Sequence, residues 1–152
     1  MSLTCRPARR EDVAAIVALL ADDGLGAGRE VVSVPLAAGY LSAFEQIAAN
    51  PRTLLAVAEG ADGAVIGTLQ LTFIPGLSSQ GAEQALVSAV RVSSALRGRG
   101  IGESMMAWAM DRARARGCTQ MELLSHASRE AAHRFYERLG FVKSHVGMKR
   151  GL

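Results

Sequence analysis

The run Arg97-Gly98-Arg99-Gly100-Ile101-Gly102 has the residue types and spacing of an anion site. It lies between an apolar segment, residues 85–92, and a helix-patterned stretch that reaches Arg116. A glycine turn between a strand and a helix leaves backbone N–H groups unpaired at the positive end of the helix dipole, where phosphate is the usual occupant. Glycine suits such a turn because a side chain would block approach to the backbone and because some turn positions need positive φ. A P-loop would require Gly-x-x-x-x-Gly-Lys-Ser/Thr, and no Lys-Ser or Lys-Thr follows here. A dinucleotide fingerprint would need Gly-x-Gly-x-x-Gly after the first strand, whereas Gly98, Gly100 and Gly102 follow a later one at the wrong spacing. The pattern that remains is Arg97-x-x-Gly100-x-Gly102.

Other chemistry-bearing residues are scattered. His126, His133 and His145 do not combine with a carboxylate at metal-ligand spacing, so no metal site is expected. Of the three, His133 reads as structural, and His126 lies at a strand end. Cys5 and Cys118 are too few and too far apart for a disulfide framework or a zinc site.

These residues need a scaffold, and 152 residues suit one domain, here taken as residues 1–152, with a real core. A hydrophobic content of 49% with 20% charged residues reads as soluble and globular. No apolar run approaches the ~20 residues that span a bilayer, and the opening residues Met1 to Arg6 lack a signal-peptide core, so the expected setting is cytoplasmic. The net charge of +3 is uneven. Residues 1–96 hold six Arg against nine acids, a net of −3, and residues 97–152 hold eleven Lys and Arg against five acids, a net of +6. The basic half contains the glycine turn. Nucleic acid is the competing reading of such a half. Scarce aromatics, and Arg residues placed on helices, argue against it.

Periodicity predicts a strand over 3–9, a helix over 10–20 with Val13, Ile16, Val17 and Leu20 inward, and a glycine-rich break over 22–28. A second helix over 35–49 ends at Asn50-Pro51. Strands over 53–59 and 65–74 flank Gly60-Ala61-Asp62-Gly63 as a hairpin, and 75–84 reads as a loop. After the strand 85–92 and the turn, a helix runs to a Gly117 C-cap, with Ile101, Met105, Trp108, Ala109 and Ala113 facing a core. A strand over 118–125, a short helix over 129–139 capped by Ser128, and one or two terminal strands within 141–150 complete the chain. The fold class is α/β (α+β), a central mixed sheet with helices on both faces.

Two stretches resemble one family. Val90-Arg91-Val92 with Leu96-Arg97-Gly98-Arg99-Gly100-Ile101-Gly102, followed by Ala132-His133-Arg134-Phe135-Tyr136-Glu137-Arg138-Leu139-Gly140-Phe141, resemble the two motifs of the GNAT superfamily of N-acetyltransferases. The resemblance covers residues 85–142, and the layout from Thr4 onward agrees with it. It implies a sheet splayed at the strand that meets acetyl-CoA. The N–H groups of Arg97, Gly98, Arg99, Gly100, Ile101, Gly102 and Glu103 would cradle the CoA pyrophosphate. The Arg97 and Arg99 side chains would help to hold the phosphates. The backbone of Val90, Arg91 and Val92 would pair with the pantetheine arm as an added strand. An N–H near Val92 would face the thioester carbonyl. Tyr136 would act as general acid for the leaving thiolate.

Two positions depart from the family pattern. Arg129 stands where an Asn often contacts CoA, and Ser93-Ser94 replaces the more usual Asp-Pro. The implied activity is acetyl transfer from acetyl-CoA to a primary amine of a small molecule in a ternary complex. The alternative is an acyl-CoA-binding regulatory module without transfer. Glu59, Glu83 and Ser88 are candidate groups for taking the amine proton, and Cys118 is not expected to act as a nucleophile. The acidic front half suggests a cationic acceptor, drawn by steering. No nucleic-acid or membrane partner is expected, and the family resemblance is compatible with a homodimer.

Overall fold

The computed structural model describes residues 3–152. Strands β1 (Thr4–Pro7), β2 (Thr53–Glu59), β3 (Val65–Ile74), β4 (Gln84–Val92) and β5 (Met121–Leu123) form one sheet in the order β1-β2-β3-β4-β5. The first four are antiparallel neighbours. β5 is reached through the long helix α4 (Ile101–Ala115), the crossover that a parallel neighbour requires, so the sheet is mixed. Helices α1 (Val13–Ala21) and α2 (Ala38–Ala49), a single turn α3 (Ser78–Gly81) and α5 (Glu130–Arg138) complete the order. Short 3-10 turns precede α1 at Arg10–Asp12 and follow β4 at Ser94–Leu96. The chain divides into two units, one running to Glu122 and the other over Leu123–Leu152.

The core of the first unit follows from alternation. Ile66 and Thr68 are buried on one face of β3, and Leu69 and Leu71 on the other, as expected of a strand covered on both sides. Cys5, Ala56 and Leu69 gather around Met105 and Trp108 of α4. Gly67 lies so close to this helix that a Cβ would come within 2.6 Å of the Met105 sulfur. Arg6, next to Cys5 and so on the opposite face, reaches Asp12 at the foot of α1. Burial of Ile101, Met105, Met106, Ala109 and Ala113 gives α4 a stripe at helical spacing. Trp108 is half-buried, with the Arg112 guanidinium over its ring.

The predicted hairpin has its observed bounds at Thr53–Glu59 and Val65–Ile74, and Gly63 takes the left-handed conformation in its turn. Elsewhere the structure corrects the reading. The first strand is only Thr4–Pro7, the second helix starts at Ala38, and β5 contains three residues rather than eight. In α1 the buried fourth apolar residue is Leu19, with Leu20 half-buried. The loop 75–84 contains α3, in which Ser79 and Gln80 have φ of 52° and 60°.

In the second unit, α5 begins one residue later than expected and its N-cap is Arg129. Ser128 does not cap it; its hydroxyl meets His126 Nδ1 at 2.7 Å instead. The terminal strands are not formed. Val142, Val146 and Met148 have the even spacing of a strand face but are 81–91% exposed. Alternation alone does not make a strand without a ladder partner and a surface to bury.

Candidate active site

The candidate site is built on an irregularity in β4. Ser88 pairs with Gln70 and Arg91 with Thr68, so Ala89 and Val90 together oppose Leu69. Two residues facing one is a β-bulge, and Ala89 at φ 52° is in the left-handed region, a strained setting for a residue with a Cβ. Past the bulge the ladder resumes, and Ser93 N–H donates to Ile66 O at 2.9 Å. In an antiparallel ladder, bonded and non-bonded pairs alternate. The 93/66 pair is bonded, so the polar groups of Val92 and Val90 point away from β3 along the free side of the strand.

That side opens because the far neighbour is short. Ala85 N–H donates to Gln120 O at 3.2 Å near the start of β4, and β5 continues only over Met121–Leu123. What is observed on this side is a difference in strand length, β5 having three residues against the nine of β4.

The two carbonyls on this edge have partners. Arg91 Nη1 donates to Val90 O at 2.8 Å, and Arg97 Nε donates to Val92 O at 3.3 Å. The edge therefore offers an incoming chain the amide donors of Val90 and Val92 more readily than a full ladder.

The glycine turn follows within a few residues. Leu96 N–H closes its 3-10 turn on Ser93 O, and Arg97 is extended. Gly98 and Gly100 both have φ of 77°, and at neither does any atom lie within 4 Å of where a Cβ would be. The left-handed turn is what demands glycine, since the surrounding space does not. The first bond of α4 runs from Ser104 N–H to Gly100 O at 3.0 Å, so the amides of Ile101, Gly102 and Glu103 precede any intrahelical acceptor. Together with the helix dipole they form a donor set suited to a diphosphate. Arg99 is exposed beside them. Arg97 faces another way: its Nη2 donates to Asp22 O at 2.8 Å.

No local pattern marks Asp22 and Asp23 as partners of this region. Asp22 Oδ2 accepts the Ser94 N–H at 2.7 Å, and Asp23 Oδ2 lies 2.7 Å from Arg91 Nε. The Ser94 amide, with help from Arg97, lowers the Asp22 carboxyl below its usual range. Adjacent acids at a helix end were visible, but partners some seventy residues away were not.

The candidate bases fare unevenly. Glu59 pairs with Arg6 at 2.6 Å, and Glu83 is held by Arg116 and Arg52. Arg6 and Arg116 respectively push these carboxyls down, which makes them poor proton acceptors at neutral pH. Ser88 lies on β4 just before the bulge. Burial raises the Cys118 thiol, so a thiolate is disfavoured there.

In the second unit, Tyr136 is half-buried, with its ring edge-on to Phe135 at 5.1 Å and to Phe141 at 5.8 Å. Its carbonyl accepts the N–H groups of Leu139 and Phe141, which closes α5, and Gly140 takes φ of 91°. His133 Nε2 meets His126 O at 3.0 Å, a local brace. Arg129 is half-buried at the helix start. Among the described residues no group of three His, Cys, Asp or Glu could hold a metal ion.

A bulged strand with outward amides, followed by a left-handed glycine turn into a helix, defines a class. The chain belongs to the acetyltransferase (GNAT) family, whose model matches residues 24–141. The chain is 41% identical to a Bacillus halodurans C-125 protein whose crystal structure is described as that of a transcriptional regulator. The TM-score is 0.96, covering 99% of this chain and 100% of that one. It is 40% identical over 57 residues to the aminoalkylphosphonate N-acetyltransferase of Salmonella typhimurium, a stretch of 38% of this chain and 37% of that protein's length. Glucosamine-6-phosphate N-acetyltransferase from Arabidopsis thaliana shares the fold, with a TM-score of 0.80 at 19% identity over 99% of both chains.

Proposed function

We propose that this protein transfers an acetyl group from acetyl-CoA directly to the amine of a small molecule. The observation that carries this reading is the pair of outward amides at Val90 and Val92, placed just before the left-handed glycines 98 and 100. Amides of residues 97–103, with Arg99, hold the diphosphate. The amides of Val90 and Val92 take the pantetheine arm, while the Arg91 backbone, paired with Thr68 of β3, holds that edge in place. One outward amide faces the thioester oxygen, where negative charge grows as the neutral amine attacks the carbonyl carbon. The C–N bond forms, the C–S bond breaks, and Tyr136 gives its proton to the departing thiolate. The surplus proton on nitrogen passes to solvent, since Glu59 and Glu83 are committed to arginines.

The acceptor class is a small-molecule primary amine. A cationic acceptor is drawn by the net −3 of residues 1–96. That pull is weakened in the loop between α1 and α2, where Asp22, Asp23 and Glu30 are bound to Ser94, Arg91 and Tyr40.

The test is thiol release from acetyl-CoA with a panel of amines that includes polyamines, aminoglycosides and aminoalkylphosphonates. Release with at least one amine supports transfer, and faster turnover of anionic than cationic amines would overturn the charge preference. The description of the Bacillus halodurans relative favours a second reading, an acyl-CoA-binding regulator. Calorimetric binding of acetyl-CoA without thiol release from any amine would select it.

A further inference from the structure

We propose that Asp22 and Asp23 are positioning residues: they clasp the turn after β4 to the loop after α1, so that seating CoA and ordering that loop are one event. The proposal rests on the acetyl-CoA reading above.

Six contacts make the clasp. The Asp22 carboxylate holds the Ser94 N–H, and the Asp22 carbonyl holds the Arg97 guanidinium, whose Nε also holds Val92 O. The Asp23 carboxylate faces Arg91 through Oδ2 and holds the Leu25 and Gly26 amides through Oδ1, at 2.8 and 2.9 Å. Both sides are therefore fixed through the same two residues. On one side are the strand carbonyls and the entry to the glycine turn. On the other is a loop packed so closely on α1 that a Cβ at Gly26 would fall 1.9 Å from Leu20 O. A shift of the turn toward a diphosphate must pull on Arg97 and Ser94, and through them on the loop. Charge assistance makes these hydrogen bonds stronger than neutral ones. The lowered Asp22 carboxyl keeps that charge through the neutral range.

The experiment combines calorimetric titration of CoA with hydrogen exchange of residues 23–30, with and without saturating CoA. It uses the wild-type chain, Asp22→Ala, Asp22→Asn and Ser94→Pro. In the wild type, CoA should slow exchange at Leu25 and Gly26. Asp22→Ala should weaken CoA about tenfold, the scale of one charged hydrogen bond, and Asp22→Asn, which keeps an acceptor oxygen, should restore most of it. Ser94→Pro removes the donor, and Ser93 before it already has a ψ of 129°, which a following proline accepts. It should weaken CoA to a similar degree as Asp22→Ala, since both delete the same hydrogen bond, and should no longer transmit protection to the loop. Unchanged CoA affinity in Asp22→Ala, or equal loop protection in Ser94→Pro and wild type, would overturn the clasp and leave the cofactor reading standing. Failure of the wild type to bind CoA would overturn both.

Discussion

Tyr136 illustrates how little a residue's surroundings decide on their own. Edge-on packing against Phe135 and Phe141 is what any half-buried aromatic would show, and only its place in the second motif proposes a proton donor. Replacing it with Phe keeps that packing and removes the hydroxyl. Turnover should then fall roughly ten- to a thousandfold at neutral pH while CoA affinity holds, as steady-state rates and calorimetry would show. Arg6 makes a different kind of claim, on stability. Its guanidinium bridges Asp12 and Glu59 at 2.6–3.0 Å in a mostly buried setting. Arg6→Leu takes the guanidinium from both carboxylates, leaving Asp12 the Arg9 N–H alone, and should lower the melting temperature near neutral pH. The Arg6 hydrogen bond lowers the Asp12 carboxyl, so its contribution is complete above the ordinary carboxylate range and is lost as pH falls through the depressed value. Melting curves should therefore show the gap between variant and wild type narrowing below about pH 4. At Ser93-Ser94, where the family resemblance leads one to expect Asp-Pro, the amide that proline would lack is held by Asp22.

At the scale of elements, the glycine turn is the sharpest test. Gly100→Ala must hold φ near 77° with a Cβ, a penalty of about 1–2 kcal/mol, and it disturbs the first amides of α4. Both a lower melting temperature and weaker CoA binding are expected, and differential scanning fluorimetry with and without CoA would record them. This element was legible in the chain, as were the hairpin and α4, because each is encoded by local signals: turn glycines, alternation and helical spacing. The bulge was not. Ala89 carries no mark of positive φ in its residue type, and only pairing with β3 reveals it. The Asp22 clasp joins residues 72 apart in sequence, beyond the reach of any local pattern. The terminal strands failed for the converse reason: the pattern at Val142, Val146 and Met148 was present and the ladder was absent.

For the whole molecule, the two units and the uneven charge frame what ligand binding should do. The donors assigned to CoA from residues 90–103 lie in the first unit, and Tyr136 lies in the second. CoA that binds only the folded chain should add about 2.7 kcal/mol at a hundredfold excess over its Kd, and raise the melting temperature by roughly 5–10 °C for a chain of this size. A melt unmoved by CoA at that excess would count against the cofactor reading. No helix among the described residues is long and apolar enough to cross a membrane.

The bulge at Ala89 is one amino acid more than a regular β4 would need. Deleting it would set Val90 alone opposite Leu69, leave Arg91 and Val92 paired with Thr68 and Gly67, and remove the bend and extra twist that a bulge puts into the strand just before the turn. Such a shortened chain should melt higher, having shed its left-handed alanine, and should no longer release thiol from acetyl-CoA. The protein, on this view, trades rigidity for reactivity at the cost of a single codon.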